Sequence, residues 1–280
     1  MFRRHLLALL LTLLAFPLSL AGLVLYARYI EPYWVEEVTW DLPCARWKGR
    51  PLKLAVLADL HAKPGDGAYL DGIVQRTLDS KPDAVLMLGE FLGGHSAEQA
   101  MELTELAEHL RPLAALPCFA VCGNHDYYHG VGKVRAMLKG LGIQSLESKR
   151  AALEVGGDTL YLGGVRCLCT FSSPAPVPGL PEEDKEAAFI LLSHSPVGGR
   201  YAKPGTTATL AGHSHGGQVC LPGGIPIIRP DERMRWSEVK GAFTEQGRPV
   251  YVTRGLGSSI LPFRLFCRPE LTFVTLHGEP

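Results

Sequence analysis

Five short polar motifs stand in fixed order along this chain, each behind an apolar run. They are Asp59-Leu60-His61, Gly89-Glu90, Gly123-Asn124-His125-Asp126, His194, and Gly212-His213-Ser214-His215. Together they offer one imidazole from the first motif, three from the last two, the carboxylates of Asp59 and Glu90, and the amide of Asn124. That is about the ligand set two adjacent divalent metals require. A two-metal site activates water and clamps a phosphoryl group in transfer. Asp59 and His61 are two residues apart, so on a strand they share a face, and at its end both can reach one metal. His213 and His215 repeat that spacing behind a glycine, and Gly212, Gly216 and Gly217 allow close backbone approach. Each motif alone is weak. Asp59 could cap a helix, a lone histidine among apolar residues is more often a core histidine, and Gly123-Asn124 could be a plain turn. The ordered set carries the reading.

Strands must deliver these motifs. Leu52 to Ala58 is apolar except for Lys53, as a buried strand entered from the surface would be. Ala68 to Leu78 has helical spacing, and Lys81-Pro82-Asp83 separates it from a second strand, Ala84 to Leu88. A helix is expected over Ala97 to Leu113, a third strand over Cys118 to Cys122, and a helix over Val134 to Leu141 that stops at Gly142. Leu153 to Val155 and Thr159 to Leu162 flank Gly156-Gly157-Asp158 and read as a hairpin. Further strands are expected at Phe189 to Leu192, Thr207 to Leu210, Val250 to Thr253 and Leu271 to Leu276. The pattern predicts an α/β fold of two sheets packed together with flanking helices. Every motif then falls just past a strand end, where ligand sites form in open α/β sheets.

The ordered set resembles the calcineurin-like metallophosphoesterase superfamily, and within it a bacterial membrane-associated phosphodiesterase branch. The stretches carrying the resemblance are Gly123 to Tyr128 (GNHDYY), Gly212 to Val219 (GHSHGGQV), Tyr251 to Gly257 (YVTRGLG) and Cys267 to Glu270 (CRPE). It covers roughly Leu52 to Leu276. It implies a four-layer α/β/β/α sandwich of two mixed sheets. It also implies that Asp59, His61 and His215 hold one metal, and that Asn124, His194 and His213 hold a second. His125 would face the leaving group as a protonated general acid, with Asp126 hydrogen-bonded to its ring. The family bridges its metals with an Asp where this chain has Glu90. A Glu keeps the charge and both oxygens but adds a methylene, so either it still bridges or one metal is bound well and the other poorly. His95 reads as a surface residue or one that supports the ligands. Arg254, Arg264 and Arg268 read as either a phosphate contact or support for the fold.

Length and composition bound the rest. The chain has 280 residues and no net charge, which implies no bulk attraction to nucleic acid, and none is expected as a partner. Leu6 to Tyr26 carries no charge, long enough to cross a bilayer, behind Arg3, Arg4 and His5. Ser19-Leu20-Ala21 resembles a cleavage site, but the apolar run continues through Tyr26, which favours an uncleaved anchor. The expected division is an anchor or signal peptide over 1–27, a connector over 28–50 with Trp34 and Trp40 at the membrane interface, and a catalytic domain over 51–280. Seven cysteines show no disulfide pattern and lean toward a reducing compartment, against the export that the basic flank suggests.

The expectation is therefore a single-pass enzyme of the bacterial inner (cytoplasmic) membrane that uses two divalent metals. Mn²⁺ suits the mixed oxygen and nitrogen set, and Fe or Zn would also fit. It would hydrolyse a phosphodiester or pyrophosphate bond. Resemblance and anchor together suggest a lipid-linked substrate such as UDP-2,3-diacylglucosamine. The rival from another class is a degenerate member of the same fold serving as a membrane-bound binding or scaffold module, and Glu90 is its sequence support.

Overall fold

The computed structural model of the chain describes residues 2–278, apart from the side chains of residues 2–4, 6–16 and Ala97. Helix α1 (Phe2–Tyr29) leads to strand β1 (Glu36–Pro43). An alternating core follows: β2 (Leu52–Leu57), α2 (Gly67–Asp79), β3 (Ala84–Met87), α3 (Leu103–Leu110), β4 (Cys118–Ala120), α4 (Asn124–Tyr128), α5 (Val131–Gly140) and β5 (Gln144–Ser145). The second half is mostly strand: β6 (Arg150–Val155), β7 (Asp158–Gly164), β8 (Ala188–Ser193), β9 (Ala208–Ala211), β10 (Cys220–Leu221), β11 (Ile225–Pro226), β12 (Gly241–Glu245), β13 (Arg248–Val252) and β14 (Glu270–His277). No helix among the described residues is long and apolar enough to cross a membrane. The expected anchor falls in good part on residues 6–16, whose side chains lie outside those described.

Two six-stranded mixed sheets form the body, in the orders β1-β14-β2-β3-β4-β5 and β12-β13-β9-β8-β7-β6. Strands β2 to β5 run parallel, as do β7, β8, β9 and β13. The inner faces meet in one core, where Leu54, Val56, Leu86 and Phe119 of the first sheet join Leu160, Leu162, Ile190 and Leu210 of the second. Strands buried on both faces need continuous apolar runs, which is why these were readable before the fold was known. On the outer face of the first sheet, Ala55, Leu57, Val85 and Met87 pack against Leu70 and Ile73 of α2, Leu106 of α3 and Leu138 of α5.

Three expectations need correction. The outer face of the second sheet has no α-helical layer among the described residues. Loops and short 3-10 turns cover it, with Val165, Leu168, Val177, Val197, Met234 and Val239 packed on Phe189 and Leu191. Pro174, Pro176, Pro178 and Pro181 keep the first of those loops from becoming a helix. The helix expected over Ala97 to Leu113 is broken, because Glu102 is extended (ψ 138°) and a 3-10 turn begins at Arg111 with Pro112 in its first positions, leaving α3 as the only α-helical part of that stretch. The connector expected over 28–50 contains β1, an edge strand paired in parallel with β14 along its whole length. Trp40 lies on that strand, stacked on Tyr251 with ring centroids 4.4 Å apart.

Candidate metal centre

The motifs converge because their strands do. Asp59 to His61 follow β2, Glu90 follows β3, and Asn124 and His125 follow β4, three neighbouring parallel strands. His194 follows β8, and His213 to His215 follow β9, its parallel neighbour in the other sheet. Backbone bonds lock the loops together: Asp59 N donates to Gly89 O, His61 N to Glu90 O, and Gly212 N to His194 O, each at 2.9 Å. Gly123 must lack a side chain, since a Cβ there would lie 2.5 Å from Glu90 Cγ and 2.7 Å from His194 Cε1. Asp59, His61, Glu90, His213 and His215 all hold left-handed backbone conformations (φ 44° to 71°). Each costs about 1–3 kcal/mol in a non-glycine residue, and such strain collects where a site demands it.

The donor atoms fall into two clusters, one on either oxygen of the Glu90 carboxylate. His61 Nε2 lies 2.6 Å and His215 Nε2 3.4 Å from Glu90 Oε2, and the two nitrogens are 3.0 Å apart. On the other side His194 Nε2 lies 3.3 Å from Glu90 Oε1, 3.2 Å from Asn124 Oδ1 and 3.1 Å from His213 Nδ1. Asp59 lies beside Glu90 and His194, with His194 Nδ1 3.7 Å from its Oδ1, and its carboxylate accepts the His213 backbone N–H. His194 Nδ1 donates to Leu88 O at 2.8 Å, which turns its Nε2 lone pair inward.

This donor set fits divalent cations. Imidazoles and carboxylates crowd their donor atoms toward common points, with His61 Nε2, His215 Nε2 and Glu90 Oε2 within 3.4 Å of one another. Such an arrangement is costly unless a cation takes up the inward lone pairs. Among themselves these buried groups offset one another's charge. Burial works against a charged Glu90, but His61 and His194 outweigh it and hold its carboxyl well below the usual range. Burial likewise opposes a charged His194, and Glu90 overrides it, raising the ring to about 10. Burial, with Glu90 beside it, pushes Asp59 up to about 7, and burial lowers His213 to about 4 and His215 to about 3.

Two residues take hydrogen-bond partners other than those expected. Asp126 does not bond the His125 ring. It sits in the first turn of α4, and its carboxylate accepts three backbone N–H groups, from Gly123 (2.8 Å), Glu90 (2.9 Å) and Phe91 (2.9 Å). Asp126 therefore positions the Glu90 loop. His125 Nδ1 donates to Gly94 O at 2.9 Å instead, leaving Nε2 as an acceptor 3.9 Å from Glu90 Oε1. Burial lowers this ring to about 4, with the Glu90 carboxylate acting against it. The arginines do not reach the centre. Arg254 pairs with Glu270 and Glu36, Arg268 stacks on Trp34, and Arg264 is fully buried. Arg264 donates to the carbonyls of His215, Arg254, Gly255, Gly257 and Cys267 and so braces the His215 loop.

A cavity of about 330 Å³ opens over both clusters, with Glu90, Asn124, His125, His213 and His215 at its floor and Ile228, Pro230, Ile260 and Leu261 along one wall. Sequence reasoning missed Tyr128 in its lining, and gave no place to the apolar wall. Tyr128 and His95 stand beside the His125 ring at centroid distances of 5.4 and 4.9 Å. The repeated tyrosine directly after His125-Asp126 was the available signal.

A family model described as calcineurin-like phosphoesterase matches residues 52–217. The phosphodiesterase YaeI of Escherichia coli (strain K12) is 29% identical over 257 residues, covering 90% of this chain and 92% of that protein. A transmembrane protein with metallophosphoesterase domain from Danio rerio is 29% identical over 290 residues, covering 98% of this chain and 63% of that protein. Among solved structures, a 5'-nucleotidase precursor from Thermus thermophilus has a TM-score of 0.47 at 17% identity, covering 74% of this chain. The chain spans only 49% of that longer one.

Proposed function

The chain belongs to the calcineurin-like phosphoesterase family and is a metal-dependent phosphoester hydrolase; from that premise we propose that it cleaves a phosphodiester or pyrophosphate bond at a dinuclear centre bridged by Glu90. The observation that carries this is the carboxylate of Glu90, whose two oxygens each face a separate donor cluster. His61 and His215 would hold one cation with Glu90 Oε2; Asn124, His194 and His213 would hold the other with Glu90 Oε1, and Asp59 lies alongside. Two divalent cations there supply an activated water and neutralise charge on a phosphoryl group.

The chain's own residues do the rest. Asp126 fixes the backbone of Glu90 and Phe91, and so the reach of the bridging carboxylate. His125 is held by Gly94 O with Nε2 turned toward the cavity floor. A phosphoryl anion beside Nε2 favours the charged ring, so His125 would take up a proton from solvent as substrate binds and then hand it to the leaving oxygen. The apolar wall supports a substrate with a hydrophobic part, such as UDP-2,3-diacylglucosamine. Ile260 and Leu261 on that wall are 80% and 52% exposed, and their loop ends at Arg264, whose N–H donates to Ala27 O near the end of α1. Leu18, Leu20, Leu23, Val24 and Leu25 of α1 are exposed too. This supports attachment of residues 1–27 to the bacterial inner membrane, with the cavity mouth beside the bilayer.

The test is a panel of aryl phosphodiesters, phosphomonoesters and pyrophosphates, assayed after complete chelation and again after Mn²⁺ is restored. Diester or pyrophosphate cleavage should vanish and return. Activity that survives chelation, or a panel in which only monoesters react, contradicts the proposal.

A further inference from the structure

Beside the second cluster lies a thiol that the dinuclear reading does not use. Strand β7 is the parallel neighbour of β8, so three adjacent strands, β7, β8 and β9, end at the same edge of the second sheet. The loops after β8 and β9 carry His194 and His213. The loop after β7 carries Cys167-Leu168-Cys169. Val165 N donates to Leu192 O at 2.8 Å, which ties this loop to β8, and Arg233 holds the Leu168 carbonyl at 3.0 Å. The result is close: Cys169 Sγ and ring nitrogens of His194 and His213 all lie within 4.8 Å of one another. Cys169 is half-buried and free.

We propose that Cys169 is a thiolate ligand of the second metal, joining His194 and His213. This rests on the dinuclear reading and sharpens it, because the ligand type biases the choice of ion. Oxygen and imidazole donors alone suit Mn²⁺, whereas a thiolate beside two imidazoles favours Zn²⁺ or Fe. On binding, the thiol gives up its proton to solvent and the sulfur lone pair forms the bond to the metal. The two subsites would then differ: the His61–His215 side has nitrogen and oxygen donors only, and the second is softer.

Co²⁺ tests this, because a cobalt–thiolate bond absorbs by sulfur-to-metal charge transfer and cobalt bound by nitrogen and oxygen does not. The full chain, stripped of metal under reductant, is titrated with Co²⁺ alongside Cys167→Ser and Cys169→Ser, and cobalt per chain is counted. Two cobalts with the band are expected in the unaltered chain and in Cys167→Ser, and two cobalts without it in Cys169→Ser. Two bound cobalts without the band in the unaltered chain, or a band that survives in Cys169→Ser, overturn the thiolate alone. Fewer than two cobalts in the unaltered chain overturns the dinuclear reading and the assignment together. Should Cys169→Ser fail to fold, alkylation of the unaltered chain mapped by mass decides. Zn²⁺ should abolish labelling at Cys169, and equal labelling with and without Zn²⁺ overturns the proposal.

Discussion

At the scale of single residues, Glu90 matters most, because it is where this chain departs from the pattern it resembles and where the two clusters meet. Its longer side chain reaches both clusters while Asp126 holds its backbone by direct hydrogen bonds and its own φ is 58°. Glu90→Asp should leave the carboxylate about one methylene short, and displacement of that size costs on the order of a hundredfold in rate. Glu90→Gln removes the charge between two dications and should be worse. Turnover and metals per chain, measured together, check both, and a gain in Glu90→Asp would mean the glutamate is a defect. His125 makes a different prediction. His125→Ala should lower turnover with metal content intact, and the loss should shrink for nitrophenyl leaving groups that need no proton. An equal loss across leaving groups would remove the acid role. Residue types alone could name residues that converge, but not the partner each would take. The Asp59 carboxylate is anchored on the His213 backbone N–H, a contact no spacing encodes. Asp126 was misassigned for the same reason: a carboxylate in a helix's first turn is drawn to backbone donors, here three of them, two from another loop.

At the scale of elements, strands buried on both faces could be read from composition, whereas those exposed on one had to be read from alternation or from a turn. Leu52–Leu57 and Ala188–Ser193 are nearly pure apolar runs. Glu36–Pro43 is an edge strand in which Val38, Trp40 and Leu42 alternate with Glu37, Thr39 and Asp41; having no continuous apolar run, it passed for a connector. Loops were the least readable, since the left-handed turns at Asp59, His61, Glu90, His213 and His215 are imposed by tertiary contacts. Arg264 is the clearest case. It reads as a surface or phosphate-binding arginine, yet it is fully buried and gathers the carbonyls of three loop segments around His215. Arg264→Met should strand those carbonyls and destabilise the fold by on the order of 3 kcal/mol or more. Arg264→Lys, which keeps the charge but not the fan of donors, should recover only part of it. Urea unfolding of both variants measures the effect; a loss below about 0.5 kcal/mol, the level of an ordinary surface change, would contradict the bracing role.

For the whole molecule, the division of labour is between a two-sheet body that carries the chemistry and an N-terminal helix joined to it at Ala27. Both cores lie within the body, so deletion of residues 1–27 should give a chain that folds, stays out of the membrane fraction and hydrolyses a water-soluble aryl phosphodiester. The full chain should remain with membranes in high salt, because apolar attachment is not screened. Full release by salt would remove the anchor. The central claim is the pair of cations on either side of Glu90, and elemental analysis of metals per chain tests it most directly. Purified protein loaded with Mn²⁺ or Zn²⁺ and freed of excess should carry two metals per chain, falling toward one in Glu90→Gln. One metal in the unaltered chain, or two in both chains, would contradict a centre bridged by that carboxylate.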